Sequence, residues 1–161
     1  MFEKIVSGGQ TGVDRAALDV AIASRIAHGG WCPRGRKAED GILDGRYALR
    51  ETEADDYRVR TEYNVRDSDA TLVLCAGTPA GGTALTVAFA RARGKPIYIL
   101  DMNEKYDLLS LQEWLDRNHV RVLNVAGPRE SNSRGIYERA RRLLQELVDA
   151  TAISDERRSR S

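Results

Sequence analysis

Several kinds of chemistry lack the residues they need in this chain. Cysteine occurs only twice in 161 residues, at Cys32 and Cys75, which match neither a disulfide framework nor a CxxC metal or redox pair. Histidine also occurs twice. His28 and His119 stand apart, with no Ser-His-Asp, Cys-His or zinc-ligand spacing around them. No apolar run approaches the roughly 18 residues of a membrane-spanning helix, and no signal-peptide pattern opens the sequence. Nor is there an excess of one charge: 25 Lys plus Arg stand against 24 Asp plus Glu. The chain therefore has no net field to draw in nucleic acid or a membrane surface. These absences imply a cytoplasmic protein with reduced thiols, in which any anion site is built by local clustering.

What is present is an alternation of short apolar runs with segments of helical spacing. Residues 2–6, 26–31, 70–75, 97–100 and 120–125 read as strands. Between and after them, Val13, Ala17, Val20 and Ala21, then residues 55–66, Leu85 to Ala92, residues 108–117, and Ile136 to Leu147 read as helices. This alternation predicts an α/β Rossmann-like domain, a doubly wound and mostly parallel sheet with helices on both faces, because each parallel crossover requires a helix. The domain is expected over residues 1–151, with a charged, Ser-rich disordered tail at 152–161. Residues 32–53 have no clear period, and such a long irregular stretch in a compact domain is usually functional.

The first strand runs into Ser7-Gly8-Gly9-Gln10-Thr11-Gly12-Val13-Asp14-Arg15. A strand that turns through glycines into a helix presents unpaired amides and a favourable dipole to an anion. Thr11 is placed to cap the helix, with Asp14 three residues on as in a capping box. The stretch is not a Walker A loop, since no Gly-Lys-Ser/Thr follows. It also falls one glycine short of the dinucleotide fingerprint, with Ser7 in the first glycine's place. The expected ligand is a phosphate of unspecified parentage; a tight turn that binds nothing is the alternative.

Three further loops follow predicted strands and so belong on the same sheet edge, where ligands of open parallel sheets bind. Residues 29–41 hold Arg34, Gly35, Arg36 and Lys37, with Glu39 and Asp40 beyond them. Residues 77–83 end in Gly81, Gly82 and Thr83 at a helix start. Residues 124–132 hold Asn124, Gly127, Arg129 and Glu130. The four loops together predict one concave site for an anion. Arg15, Arg34, Arg36, Lys37 and Arg129 would neutralise it, or would form solvated charged loops. Trp31 offers a stacking face or loop packing. Glu39, Asp40 and Glu130 either read a ring edge or balance nearby arginines. Cys32 beside basic residues is expected to have a lowered pKa, or to be a small buried hydrophobe.

The motifs at residues 7–15 and 29–41, Asn64-Val-Arg-Asp-Ser-Asp-Ala-Thr71, Gly81-Gly-Thr83 and Asn124-Val-Ala-Gly-Pro-Arg-Glu130 together resemble the molybdenum carrier family. The resemblance runs over about residues 1–148. It implies a protein that binds the molybdenum cofactor, a phosphorylated pterin dithiolene, and shields it before hand-over to molybdoenzymes or cofactor-insertion proteins. It also implies a homo-oligomer, a tetramer, and a place in the wider superfamily of Lonely-Guy-type phosphoribohydrolases, which seat a phosphate at a Gly-Gly-Thr turn. Those enzymes carry an acidic residue three positions after that threonine, where this chain has Thr86, and loss of that carboxylate weakens the case for N-glycosidic cleavage. The leading expectation is a binding and carrier protein with no catalytic residue and no metal ligand of its own. The alternatives are a nucleoside-phosphate hydrolase using the same cradle, with Asp14, Glu39 or Asp40 as its acid-base group, and a nucleotide sensor module.

Overall fold

The computed structural model describes residues 2–159. Five strands form one parallel sheet: β1 (Lys4–Val6), β2 (Ala27–Gly29), β7 (Ala70–Cys75), β8 (Ile97–Asp101) and β9 (Val122–Ala126), in the spatial order β2-β1-β9-β7-β8. The inner strand β7 is buried at every residue, as its uninterrupted Ala-Thr-Leu-Val-Leu-Cys run requires of a strand covered on both faces. Its register is fixed on both sides, Thr71 opposite Asn124 and Val73 opposite Ala126 on β9, and Cys75 opposite Asp101 on β8.

Helices α1 (Val13–Ala23), α4 (Leu108–Arg117) and α5 (Ile136–Ser159) pack together, while α2 (Tyr57–Arg66) packs on α3 (Gly81–Ala92). The small-residue face of α1, with Val13, Ala16, Ala17, Val20 and Ala21 all buried, allows close approach to α5 and the sheet. The main core joins these residues to Ile5, Leu72, Leu74, Leu123, Leu143, Leu144 and Leu147. Two helices are started by aspartates. Asp56 accepts the Arg58 amide at 2.8 Å, and Asp107 accepts those of Leu109 and Ser110 at 3.0 and 3.2 Å. Helix α5 continues through positions 152–159, where the composition predicts a disordered tail. Residues 160 and 161 lie outside the described residues.

The expected strand over residues 26–31 divides at Gly30 into β2 and a separate β3 (Trp31–Cys32), which pairs with β6 (Arg50–Glu51). Between them, β4 (Lys37–Ala38) and β5 (Gly41–Ile42) form a small antiparallel pair. This irregular region is ordered by a satellite core of Leu18, Cys32, Leu43, Tyr47 and Leu49. It is also held by Arg36, whose guanidinium donates to the carbonyls of Leu43, Leu49, Asp44 and Tyr47 at 2.9–3.3 Å.

The connections set the position of the site. From β1 the chain leaves towards α1 on one face of the sheet, and from β7 it leaves towards α3 on the other. Strand β9 lies between them. The carboxyl ends of β1, β9 and β7 thus flank a switch point in strand order, the position at which open parallel sheets leave a crevice.

Candidate functional site

The first glycine turn turns most of its amides towards the protein itself. The Ser7 hydroxyl donates to the Asp14 carbonyl at 2.9 Å and accepts the Gly9 amide at 3.3 Å. The Gln10 amide donates to Asp14 Oδ2 at 3.3 Å, the Thr11 amide to Gln10 Oε1 at 3.0 Å, and the Val13 amide to the Pro128 carbonyl at 3.2 Å. The amides of Gly9, Gln10, Thr11 and Val13, predicted to hold a ligand, are thus spent inside the protein. Thr11 does not cap α1, which starts from Gly12 without a side-chain cap. Its hydroxyl instead donates to Glu39 and accepts the Glu130 amide at 3.1 Å. The glycines are required by neighbouring protein. A Cβ at Gly8 would lie 1.9 Å from the Arg60 guanidinium, and one at Gly12, whose φ is +76°, would lie 2.3 Å from the Pro128 carbonyl oxygen.

The basic loop also turns away from the crevice. Arg36 is the carbonyl clamp already described, Lys37 pairs with Asp55 at 3.0 Å, and the Gly35 amide donates to Glu51 at 2.7 Å. Arg34 is exposed beside them, on the rim of a separate shallow concavity. Trp31 packs edge-on against Tyr63 with ring centroids 5.2 Å apart, and its indole Nε1 donates to Asp67 at 2.7 Å. Arg15 makes a two-pronged pair with Asp40, both contacts at 3.0 Å, and also donates to the Gly9 carbonyl. This pairing holds the Asp40 carboxyl below its ordinary range. Glu39 accepts from Thr11 and from the Ser131 hydroxyl at 2.5 Å. Burial pulls its pKa up, but these hydrogen bonds outweigh it and the carboxyl is held low. Glu130 accepts the Gly135 and Tyr137 amides at 2.5 and 3.0 Å at the start of α5, and Asn124 is buried against Thr71 at 3.2 Å. Cys32 is fully buried, and its thiol is pushed up by burial, which outweighs the opposing pull of Arg36.

The remaining parts converge. A cavity of about 220 Å³ opens at the switch point, walled by Gln10 and Asp14 from the first turn, by Arg60 from α2, by residues 80–83 and Thr86 from the start of α3, and by residues 126–129 after β9. Thr61, Thr78, Asn132 and Ser133 complete its polar lining. Of the residues singled out in the sequence it gathers Gln10, Asp14, Gly81, Gly82, Thr83, Gly127 and Arg129. Gly81 and Gly82 are exposed at the beginning of α3, nothing occupies the space a Cβ would take at either, and their amides have no acceptor among the described residues. Thr83 and Ala84 already donate to the Ala80 carbonyl, at 3.0 and 3.2 Å. The second glycine turn is thus the open one.

Two more donors are left over. Gln10 is 5% exposed, and its Nε2 has no partner; buried Arg60 Nε has none either. Arg60 Nη1 approaches Asp14 Oδ2 at 3.3 Å. Burial raises the Asp14 pKa, against the opposing pull of Arg60 and of the Gln10 and Gly8 amides. Arg129 extends over the Tyr57 ring at 5.5 Å and stands 3.8 Å from Glu39. Arg60 carries no sequence signal of its own. It lies on a helix whose pattern places Tyr57, Arg60, Tyr63 and Asn64 on one side, and only the packing of α2 against the first turn brings it to the site. Thr86 donates its hydroxyl to the Gly82 carbonyl at 3.0 Å. Among the described residues no group of three or more His, Cys, Asp or Glu could hold a metal ion, and no helix is long and apolar enough to cross a membrane.

The architecture has a solved counterpart. The crystal structure of a "Putative molybdenum carrier protein" from Syntrophus aciditrophicus superposes with a TM-score of 0.87 at 44% identity, covering 91% of this chain and 94% of that one. No curated protein matches. The model of the circularly permutated YpsA SLOG family matches residues 5–148, which include both glycine turns and every wall of the cavity. The chain belongs to the circularly permutated YpsA SLOG family.

Proposed function

We propose that this protein binds the phosphorylated pterin of the molybdenum cofactor and holds it without cleaving it, with the phosphate seated between the Gly81–Gly82 turn, Gln10 and Arg60. One observation carries this reading: Gln10 Nε2 and Arg60 Nε are buried without an acceptor beside the cavity that the open glycine turn lines. A buried donor left unsatisfied costs about 1–3 kcal/mol, and the oxygens of a phosphate would remove that cost while using the two free amides at the head of α3. Arg129 adds a charge at the opening, and its guanidinium above Tyr57 gives a flat surface for a ring. The choice of cargo is supported by the Syntrophus relative, whose name is "Putative molybdenum carrier protein". Retention without cleavage is supported by Thr86, whose hydroxyl is committed to the Gly82 carbonyl, so that α3 brings no carboxyl to the cavity.

The direct test mixes protein free of ligand with the cofactor, passes it through a desalting column and follows oxidative decay of the pterin. Co-elution and slower decay are expected; neither retention nor protection would overturn the reading. A second reading, a nucleoside-phosphate hydrolase, rests on the Asp14 carboxyl in the wall. Release of base or phosphate from a panel of nucleoside monophosphates would favour it over the carrier. We also propose that the protein works as a homo-oligomer. Support comes from the edge strand β8, where Ile97 is only partly covered and Ile99 is exposed. Light scattering reads the assembly, with a tetramer expected.

A further inference from the structure

Asp14 is the one carboxyl among the residues that wall the cavity, and seating a phosphate leaves it without a role. It is 3% exposed, and its Oδ2 accepts from the Gln10 amide and from Arg60, both at 3.3 Å. The charged and titratable groups facing it come from every element packed there. They are Arg60 from α2, Arg15 from its own helix, Arg129 across the cavity and Cys75 from β7. Burial keeps the Cys75 thiol neutral, and its Sγ donates to the Leu100 carbonyl at 3.5 Å. Arg15 is already matched by Asp40. Arg60 is therefore the partner of Asp14, and the pair is close to neutral before any ligand arrives.

A dianion entering this cavity places further negative charge beside a buried carboxylate. Like charges sharing a desolvated site do not both stay ionised; the pair keeps a proton. We propose that anion entry is coupled to one proton, held in the complex between the Asp14 carboxyl and an oxygen of the bound anion. This rests on the reading of the cavity as a phosphate seat. The balance is the same whichever partner carries the proton: a ligand hydroxyl donates to the carboxylate, or the carboxylic acid donates to the ligand oxygen. Hydrogen phosphate brings this proton with it across the neutral range. A phosphomonoester has lost its own above a pKa of about 6, and sulfate has none to bring. Both must therefore take the proton from solvent, and the affinity of each falls about tenfold per pH unit where Asp14 is ionised in the free protein. For a phosphorylated cargo the consequence is uptake favoured by acid and release favoured by base.

Calorimetric titration of the full chain tests this, with inorganic phosphate, methyl phosphate and sulfate as probes at about pH 7 and about pH 8. Repeating each in buffers of different ionisation enthalpy counts the protons taken up. Expected are uptake of about one proton and about tenfold weakening between the two pH values for sulfate and methyl phosphate, with neither for inorganic phosphate. Asp14→Asn keeps an oxygen acceptor for the Gln10 amide and is expected to abolish both the uptake and the preference for hydrogen phosphate over sulfate. Wild-type sulfate binding with no proton uptake and equal affinity at both pH values would overturn the coupling and leave the seat standing. If none of the three anions binds, seat and coupling fall together. Should the variant not fold, the wild-type proton count decides alone.

Discussion

The two glycine turns of this molecule look alike on paper and behave as opposites. In the first, residues 7–12, each close approach is taken up by protein: Arg60 lies against Gly8, the Pro128 carbonyl against Gly12, and the side chains of Ser7, Asp14 and Gln10 accept the amides of Gly9, Gln10 and Thr11. In the second, Gly81 and Gly82 have empty space where a Cβ would go, and their amides are open. A glycine-rich strand-to-helix turn thus has two uses. It can let two pieces of backbone touch, or it can leave room for something that is not protein. What separates them here is the acceptors: Ser7, Gln10 and Asp14 supply them in the first turn, whereas Thr78, Pro79 and Ala80 precede the second and supply only the Ala80 carbonyl.

The sharpest way to break this comparison is to give each turn a side chain. Gly12→Val forces a branched residue into a left-handed conformation and against the Pro128 carbonyl, and is expected to cost several kcal/mol, about 3 or more, in urea unfolding. Arg60→Ala comes next. It strips the partner from a buried carboxyl, for which a loss of about 3 kcal/mol is typical. The ability of Asp14 to become neutral reduces that figure at low pH, so the variant's deficit should grow as pH rises. Gly82→Ala probes the open turn. With no neighbour in the way it should leave urea stability unchanged or raised by about 0.5 kcal/mol, yet weaken inorganic phosphate about tenfold by crowding the free amides, as calorimetry would read. If it instead unfolds the protein, the second turn is structural like the first. The smallest effect is expected of Glu39→Gln, a partly exposed group whose loss should cost under about 1 kcal/mol.

The pH profile separates two carboxyls that both bond to the first turn. The Asp14 pKa is raised on folding, so the native state holds its proton where the unfolded chain has lost it. Stability from this group is therefore greatest at low pH and declines as pH rises from the ordinary carboxylate value through the folded one. Glu39 has the opposite sign: its carboxyl is held low, and its contribution is present above the ordinary value and lost as pH falls through the folded one. Unfolding free energies measured from about pH 3 to about pH 7 should lose the declining component in Asp14→Asn and the rising one in Glu39→Gln.

The fold was legible because its signals are local. The all-apolar β7, the small-residue face of α1 and the stripe from Ile136 to Leu147 each declare a period, and residues 108–117 mark α4 without error. The edge on which the site lies followed from parallel topology. Which loop residues face inward did not follow, because motif and composition do not say where a side chain finds its acceptor. Arg15, Arg34, Arg36 and Lys37 read as one anion-binding set, but carbonyls and carboxylates within 18 residues of Lys37 or 25 of Arg15 claim three of them, and Arg34 stays outside. Arg60 was silent for the complementary reason: its acceptor lies 46 residues away, in a turn that only the folded chain brings near.

The leftover donors at Gln10 and Arg60 also make the folded protein an assay for its own ligand. A molecule that supplies their missing acceptors binds the native chain and not the unfolded one, and so raises the melting temperature in proportion to the logarithm of its concentration over its dissociation constant. At a hundredfold excess over that constant the gain is about 2.7 kcal/mol. A thermal-shift screen of phosphates, oxyanions and pterins therefore ranks candidate cargoes without presupposing any of them, and Gly82→Ala tells which of the shifts arise at the open turn.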